Sequence, residues 1–175
     1  MFSAPTQLPL LRGAACAAAA EGIPAIAVSG AGTRQEAWTN LETNPTSPSI
    51  INAIGNSVLT VKVLGALFAQ QPTLPLLLPE QVILNINYPN LNEECTTDDV
   101  QFVLTRIYPS QSSTDVHTCD NGGVLPDERK VVNSGCFATI SVLNSSSKLD
   151  VTAAVQADVL TRLSALEFSC FTGPY

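Results

Sequence analysis

The chain has 175 residues, of which 45% are hydrophobic, and this is typical of one folded domain with a sizeable core and excludes a disordered chain. Fifteen acidic residues outnumber eight basic ones, and the net charge of −7 argues against nucleic acid polymers, which need a clustered basic face. Arg12, Pro24 and Lys62 interrupt the apolar runs before they reach the roughly 20 residues that span a bilayer, so we expect no membrane partner.

Residues 14–30 predict a helix followed at once by a strand. The alanine-rich run has high helix propensity, Gly22 can adopt the left-handed conformation that ends a helix, and Pro24 prevents its continuation. Residues 23–28 lack polar alternation, which is typical of a strand covered on both faces in a parallel sheet between helices. The unit predicts an α/β fold, with residues 1–11 as an irregular lead-in.

A loop of small residues follows this predicted strand. Open α/β sheets bind ligands at the carboxyl ends of their strands, so Ser29 and Gly30 are candidate substrate-proximal residues. The spacing of Gly30 and Gly32 also fits a tight turn without a ligand, and both interpretations remain open.

Residues 48–70 predict a long amphipathic helix. Ser47 can cap its first amides, and Pro48 suits the first helical position. One face carries six small or apolar residues: Ile50, Ile54, Val58, Val61, Gly65 and Phe68. Asn52, Asn56 and Gln70 fall on the opposite face, so we expect the first face to pack on the sheet.

Residues 82–87 predict a second strand, after a proline-bracketed connector at residues 72–79. The period of two places Asn85 and Asn87 on the same face. These amides either line a site or tie down a loop.

The acidic segment at residues 90–99 contains Asp98 and Asp99, a pair of the kind that can hold a divalent cation. The pair precedes a predicted strand at residues 100–107, so we favour a solvated loop. His117 lies in a long loop or hairpin arm at residues 109–123 and is interpreted as a surface residue.

The C-terminal part predicts a last strand at residues 135–143 and a closing helix. Asp150 is expected to cap this helix. Its apolar face comprises Val151, Val155, Val159, Leu163 and Leu166.

Cysteine usage favours an oxidising compartment. No CxxC pair occurs and His117 is the single histidine, so metal-ligand spacing is absent. Cys16 is expected to be a small buried hydrophobe, whereas four cysteines of the C-terminal half are candidates for two disulfides: Cys95, Cys119, Cys136 and Cys170. Asn144 begins an N-x-S sequon, a candidate glycosylation site that agrees with a secreted protein. Arg12 interrupts the apolar N-terminal segment, which we interpret as a domain helix and not a signal peptide.

Several blocks of the chain, taken in order, resemble the SurE survival-protein family of phosphatases and nucleotidases, especially its secreted fungal branch. The blocks are residues 13–16 leading to 22–29, residues 84–89, residues 102–106, and residues 135–141 leading to 148–150. The resemblance implies a three-layer α/β/α, Rossmann-like domain with a hairpin arm and a C-terminal strand and helix, commonly used for homo-oligomer contacts. It also implies a divalent metal, Mg²⁺ or Mn²⁺, and hydrolysis of phosphomonoesters or nucleoside monophosphates.

The chain departs from the family pattern where the metal ligands belong. In the family, two adjacent aspartates, a serine and an asparagine lie upstream of the block that starts here at Gly22, and residues 1–21 contain no Asp or Asn. We therefore expect a sheet without its first strands and an N-terminally truncated, inactive enzyme without catalytic or metal-binding residues. The alternative is a non-catalytic oligomerisation or binding module.

Within one domain at residues 1–175 we expect three parts: an α/β core at 13–90, a disulfide-bearing strand and arm at 91–134, and a closing strand and helix at 135–175. Of the three pairings open to the four C-terminal cysteines, we predict Cys95 with Cys119 and Cys136 with Cys170.

Overall fold

Four strands form one mixed sheet with helices on both faces in a computed structural model that describes residues 7–70, 76–109 and 114–173. The elements in chain order are α1 (Gln7–Ala20), β1 (Ala25–Gly30), α2 (Asn40–Thr43), α3 (Pro48–Gln70), β2 (Val82–Tyr88), β3 (Gln101–Thr105), α4 (Glu128–Val132), β4 (Phe137–Asn144) and α5 (Ala153–Arg162). The predicted α/β class is confirmed.

The sheet has the strand order β1-β2-β4-β3. β1 runs parallel to β2, and β3 runs parallel to β4, but β2 and β4 are antiparallel. The parallel pairing expected for the first strand is confirmed, but β4 reverses direction relative to β2 and the sheet as a whole is mixed. A strand buried on both faces gives the same apolar run in either direction, so the pattern could not reveal this reversal.

The first helix ends as predicted but begins earlier. Gly22 has a φ of +78°, and the amides of Gly22 and Ile23 donate to the carbonyls of Ala19 and Ala18 at 3.1 and 3.0 Å. These two hydrogen bonds are typical of a helix that ends at a glycine in the left-handed conformation. The helix already starts at Gln7, because a proline within the first turn removes no intrahelical hydrogen bond; residues 1–6 lie outside the described part.

The main core lies between the sheet and the layer of α3 and α5. Its fully buried members include Leu59 and Val63 of α3, Leu84 of β2, Val159 of α5 and Leu163 directly after that helix. On the opposite face, Ala15, Cys16 and Ala19 of α1 pack on Ala27, Ile83 and Leu143. The prediction for Cys16 is thus confirmed, and the structure has the three layers that the resemblance implies.

The predicted orientation of α3 is wrong. The helix begins as expected, with the Ile50 amide donating to Ser47 Oγ at 3.3 Å, but its buried residues include Asn52, Leu59, Val63 and Leu67. Of the six residues predicted to pack on the sheet, only Ile50 is buried; Ile54, Val58, Val61 and Phe68 are exposed, as is Gly65.

Asn52 explains how α3 can bury the other side. Its amide group accepts from the Leu91 amide at 2.7 Å and donates to the Leu91 carbonyl at 3.2 Å, so the buried polar group is fully engaged. α3 is also long and apolar enough, by length and composition alone, to cross a membrane, although in this fold one side of it is part of the core.

The closing helix confirms its predicted apolar face but not its predicted cap. Val159 and Leu163 are fully buried, and Val151, Val155 and Leu166 pack against the same core. The N-cap residue is Thr152, while Asp150 accepts hydrogen bonds from the Ile107 and Tyr108 amides at 2.9 and 3.0 Å. A carboxylate just before a helix can accept hydrogen bonds from the first helical amides or from amides of another segment. The sequence does not reveal which amides it binds.

Two disulfides form among the four C-terminal cysteines, but with a different pairing from the predicted one. Cys95 bonds to Cys136, and Cys119 bonds to Cys170. The parallel pairing of β3 and β4 explains the first bond, because Cys95 shortly precedes β3 and Cys136 immediately precedes β4, so both lie at the same end of the sheet. The second bond ties the segment after β3 to the chain beyond α5.

Candidate functional site

The carboxyl ends of β1 and β2 meet in a tight glycine turn. The Ala31 amide continues the strand pairing by donating to the Tyr88 carbonyl at 3.0 Å, and the Thr33 hydroxyl donates to the Gly30 carbonyl at 3.1 Å. Gly32 has a φ of +70°, which favours glycine. Ser29 and Gly30, the two candidate substrate-proximal residues, are half-buried here.

Three asparagine side chains pack around this turn. A methyl group on Gly30 would collide with the Asn56 side-chain amide, and one on Gly32 would collide with the Asn90 side chain, so either substitution would displace an asparagine. Asn52 donates to Asn90 Oδ1 at 3.2 Å, while the buried Asn56 Oδ1 has no hydrogen-bond partner in the described structure. The packing gives the turn a structural reason for its glycines, without any ligand.

Tyr88 is the last residue of β2 and lies at the same edge of the sheet. The side chain is fully buried, its hydroxyl lies 3.1 Å from Thr60 Oγ1, and burial raises the pKa of Tyr88 to about 12. It therefore remains a neutral phenol and offers neither a base nor a charged ligand.

This edge of the sheet does not fit the divalent cation implied by the resemblance. Mg²⁺ and Mn²⁺ prefer carboxylate oxygens, and the groups that converge here are the side-chain amides of Asn52, Asn56 and Asn90. Within the described ranges, no group of three or more His, Cys, Asp or Glu side chains could hold a metal ion.

A buried carboxylate instead organises the sheet face between α1 and α4. Glu128, at the start of α4, accepts hydrogen bonds on Oε2 from Asn85 Nδ2 at 2.9 Å, Ser141 Oγ at 3.1 Å and Asn87 Nδ2 at 3.2 Å. β2 and β4 align these donors, because Asn85 is the register partner of Ser141. Asp127 caps α4 by accepting from the Arg129 and Lys130 amides, which sets Glu128 over the sheet.

The pKa of Glu128 reflects its burial and its hydrogen bonds. Burial raises its pKa above the ordinary value, and the hydrogen bonds from Ser141 and Asn85 oppose the shift, as does the charge of Arg12. Asn85 and Asn87 were expected either to line a site or to tie down a loop. The structure favours the second role, because both side-chain amides bind Glu128 and hold α4 on the sheet. Sequence reasoning missed Glu128, because it lies within the charged run at residues 127–130, which gives no local signal of burial.

A second buried ionic group, formed by Arg106, Asp115 and Asp150, stabilises the segment after β3. Arg106 contacts Asp115 at 2.7 Å and Asp150 at 3.7 Å, and Gln156 Nε2 donates to Asp115 Oδ1 at 2.8 Å. Burial raises the pKa of Asp150, while the amides of Ile107 and Tyr108 oppose the shift. These contacts connect three segments distant in sequence; the predicted arm is described only in part, because residues 110–113 lie outside the described ranges.

The remaining sequence candidates lie apart from the glycine turn. Asp99 accepts from the Thr96 hydroxyl at 2.6 Å and from the Thr96 amide at 3.0 Å, which lowers its pKa, whereas Asp98 pairs with Lys62 at 3.6 Å. The two carboxylates thus have different partners, in agreement with a solvated loop. His117 is exposed, as predicted, and Asn144 is half-buried at the end of β4.

The order of these segments is that of a known family. Residues 12–114, more than half of the chain, match the family described as Survival protein SurE. No individually curated protein matches the chain. The match spans α1, β1, the glycine turn, α3, β2 and β3, so the chain belongs to the SurE survival-protein family, whose members are typically metal-dependent phosphatases or nucleotidases.

Proposed function

We propose that this chain is the C-terminal part of a secreted acid phosphatase or 5′-nucleotidase of the SurE family, and that it does not hydrolyse phosphomonoesters by itself. Family membership supports the reaction class. The observation that carries the proposed inactivity is the donor chemistry at the carboxyl ends of β1 and β2. Side-chain amides of asparagines converge there, and the described residues contain no group of three or more acidic, cysteine or histidine ligands.

Phosphoryl transfer in this reaction class depends on a cation that binds the phosphate oxygens and activates the attacking water. Because the described residues offer no carboxylate cluster to hold that cation, the proposal assigns neither task to this chain. Ser29 and Gly30 retain a supporting role in this proposal, because they occupy the strand ends where the substrate of an intact family domain would approach.

An activity assay tests the proposal. The purified, disulfide-bonded chain is incubated with p-nitrophenyl phosphate and with nucleoside monophosphates, with Mg²⁺, with Mn²⁺ and with a chelator. We expect rates equal to the protein-free blank in all conditions, for a sample whose circular dichroism indicates a folded α/β domain. Metal-stimulated turnover that co-purifies with the folded chain would overturn the proposed inactivity.

A non-catalytic oligomerisation or binding module of the same family is the alternative. The large exposed apolar side chains favour it, since Trp38, Val61 and Phe68 are each more than half exposed. Light scattering of the chain mixed with an intact family member distinguishes the two proposals, because a binding module forms a mixed assembly and an inert fragment does not.

Secretion is supported by the two disulfides, which persist in oxidising compartments. We further propose that Asn144 is glycosylated. Its Oδ1 accepts from the Ser146 and Ser147 amides at 3.1 and 2.9 Å, in a turn at the end of β4. Mass spectrometry of the chain from a eukaryotic secretion host tests both, with glycan at Asn144 as the expected result and an unmodified Asn144 as the contrary one.

A further inference from the structure

A small cavity lies between α1 and the segments that follow β3 and β4. Its volume is about 160 Å³. The described residues that line it are Arg12, Gly13, Cys16, Tyr108, Leu143 and Lys148. Leu143 pairs with Ile83 near the start of β2, whereas the glycine turn follows the end of that strand. The cavity is therefore separate from the turn at Ser29 and Gly30.

The lining of the cavity is cationic, although the chain as a whole carries a net charge of −7. Arg12 and Lys148 contribute two positive charges, and none of the six described lining residues is acidic. Two buried carboxylates of the neighbouring structure already have partners. Glu128 accepts three hydrogen bonds, and Asp150 accepts from two backbone amides and pairs with Arg106. The charge of the cavity therefore favours an anionic ligand.

The chain presents Lys148 to the cavity from a turn closed by hydrogen bonds. Asn144 Oδ1 accepts from the Ser146 and Ser147 amides, and the Asn144 carbonyl accepts from the Lys148 amide at 2.8 Å. Lys148 has a φ of +60°, a left-handed conformation that lysine rarely adopts. Its ammonium group forms no ion pair with the part of the chain that the structure describes. The turn thus places a positive charge at the cavity that no described carboxylate neutralises.

Arg12 is the second cation, and its geometry favours a carboxylate. A guanidinium group can bind both oxygens of a carboxylate through two parallel N–H donors. Its five N–H donors also allow it to bind more than one acceptor, so its electrostatic interaction with Glu128 leaves it able to bind a ligand.

The floor of the cavity is apolar. Cys16 and Leu143 are 5% and 0% exposed, and a methyl group on Gly13 would meet no atom within 4 Å. A dry apolar cavity of about 150 Å³ is large enough to bind benzene, so the floor has room for an apolar body of that size. A bare inorganic anion would leave this floor uncovered, whereas an organic carboxylate covers it.

We propose that this cavity binds a small organic carboxylate with a compact apolar body. The carboxylate group lies between Arg12 and Lys148, and the apolar body lies on Gly13, Cys16 and Leu143. The proposal is independent of the reaction class proposed above, because it rests on the lining of this cavity alone.

Isothermal titration calorimetry with benzoate as the probe is the first test. We expect saturable binding of one benzoate per chain and at least about tenfold weaker binding of benzamide, which has the same ring without the charge. Lys148→Met should weaken benzoate binding at least about tenfold, and Lys148→Arg should retain it. Lys130→Met removes an exposed charge of α4 and should bind benzoate as the unmodified chain does.

Filling the cavity tests where the probe binds. Gly13→Leu should abolish benzoate binding and preserve α1, because leucine is a good helix former and its side chain occupies the space beside Gly13. Gly65→Leu on α3 is the matched control, since a methyl group there also meets no atom within 4 Å, and it should leave binding unchanged. Circular dichroism verifies that the variants fold.

Four results would overturn the proposal. They are no saturable binding of benzoate at millimolar concentrations, equal binding of benzoate and benzamide, inorganic phosphate binding as tightly as benzoate, and benzoate binding that survives Lys148→Met or Gly13→Leu.

Discussion

Glu128 is the residue whose environment is most specific to this fold. Three donors converge on one of its oxygens, and burial raises its pKa above the ordinary 4.5. Because the folded state favours the protonated acid, the contribution of Glu128 to stability is complete at pH values below about 4.5 and is lost as the pH rises.

Glu128→Gln tests this dependence. Glutamine keeps an oxygen acceptor for the donors but cannot ionise, so the variant should become progressively more stable than the unmodified chain as the pH increases from about 4.5 to 7. Urea unfolding at several pH values measures the difference. Glu167→Gln, at an exposed position, should give a difference that does not change with pH. A constant difference for Glu128→Gln as well would contradict the account.

Gly30 tests the packing of the glycine turn. Gly30→Ala forces a methyl group against the Asn56 amide and should lower the free energy of unfolding by about 1–3 kcal/mol. Gly13→Ala is the matched control: it has no atom within 4 Å of the new methyl group and should stabilise helix α1 by about 0.5–1 kcal/mol.

The double variant Gly30→Ala/Asn56→Ala should recover most of the loss, because it removes the colliding amide. Thermal and urea unfolding compare the three variants with the unmodified chain. If Gly30→Ala were as stable as the unmodified chain, the turn would be open, and an unfilled ligand pocket would be the better interpretation of Ser29 and Gly30.

At the scale of the elements, Arg106 connects β3, the segment around Asp115 and the start of the closing helix. Its side chain is 12% exposed, and those of Asp115 and Asp150 are 1% and 4% exposed. Removing the cation would leave two buried carboxylates without their partner, which is costly even where the intact pair contributes little.

We therefore expect Arg106→Met to lower the free energy of unfolding by about 3 kcal/mol at neutral pH and by less in acid, where the carboxylates can be protonated. Urea unfolding at both pH values measures the change. Arg129→Met on the exposed side of α4 should change stability by less than about 0.5 kcal/mol. Equal effects of the two variants would show that the buried contacts of Arg106 do not stabilise the fold.

Local patterns predicted the elements better than their arrangement. The end of α1 at Gly22, the start of α3 after Ser47 and the buried face of α5 follow from residues adjacent in sequence, so they could be predicted. The direction of β4 and the disulfide pairing depend on which strand ends meet in space, and no local pattern records this.

The prediction of which side of α3 packs on the sheet was wrong for a further reason. Apolar residues occur on most of its circumference, so composition identifies two apolar faces but not which of them meets the sheet. The buried side also carries Asn52, whose hydrogen-bond partner Leu91 is 39 residues away in sequence. The same limit applies to Glu128, whose three donors come from two other strands and become neighbours only in the folded sheet.

For the whole molecule, the family match indicates a metal-dependent enzyme, whereas the side chains at the strand ends do not indicate a metal site. Residues 12–114 place the chain among proteins that typically use a divalent metal, yet the described residues contain no group of ligands for one. The described residues form a mixed sheet with covering helices, in agreement with the α/β fold of the family, while the chemistry at the ends of β1 and β2 is that of a packed turn. We therefore propose that the chain keeps the α/β fold of the family and that its described residues do not form a metal centre.

Titration with Mn²⁺, followed by electron paramagnetic resonance of the free ion, tests this account most directly. We predict that the folded chain leaves the signal of free Mn²⁺ unchanged up to millimolar concentrations, with or without inorganic phosphate. Saturable loss of that signal at one site per chain, abolished by unfolding, would contradict it.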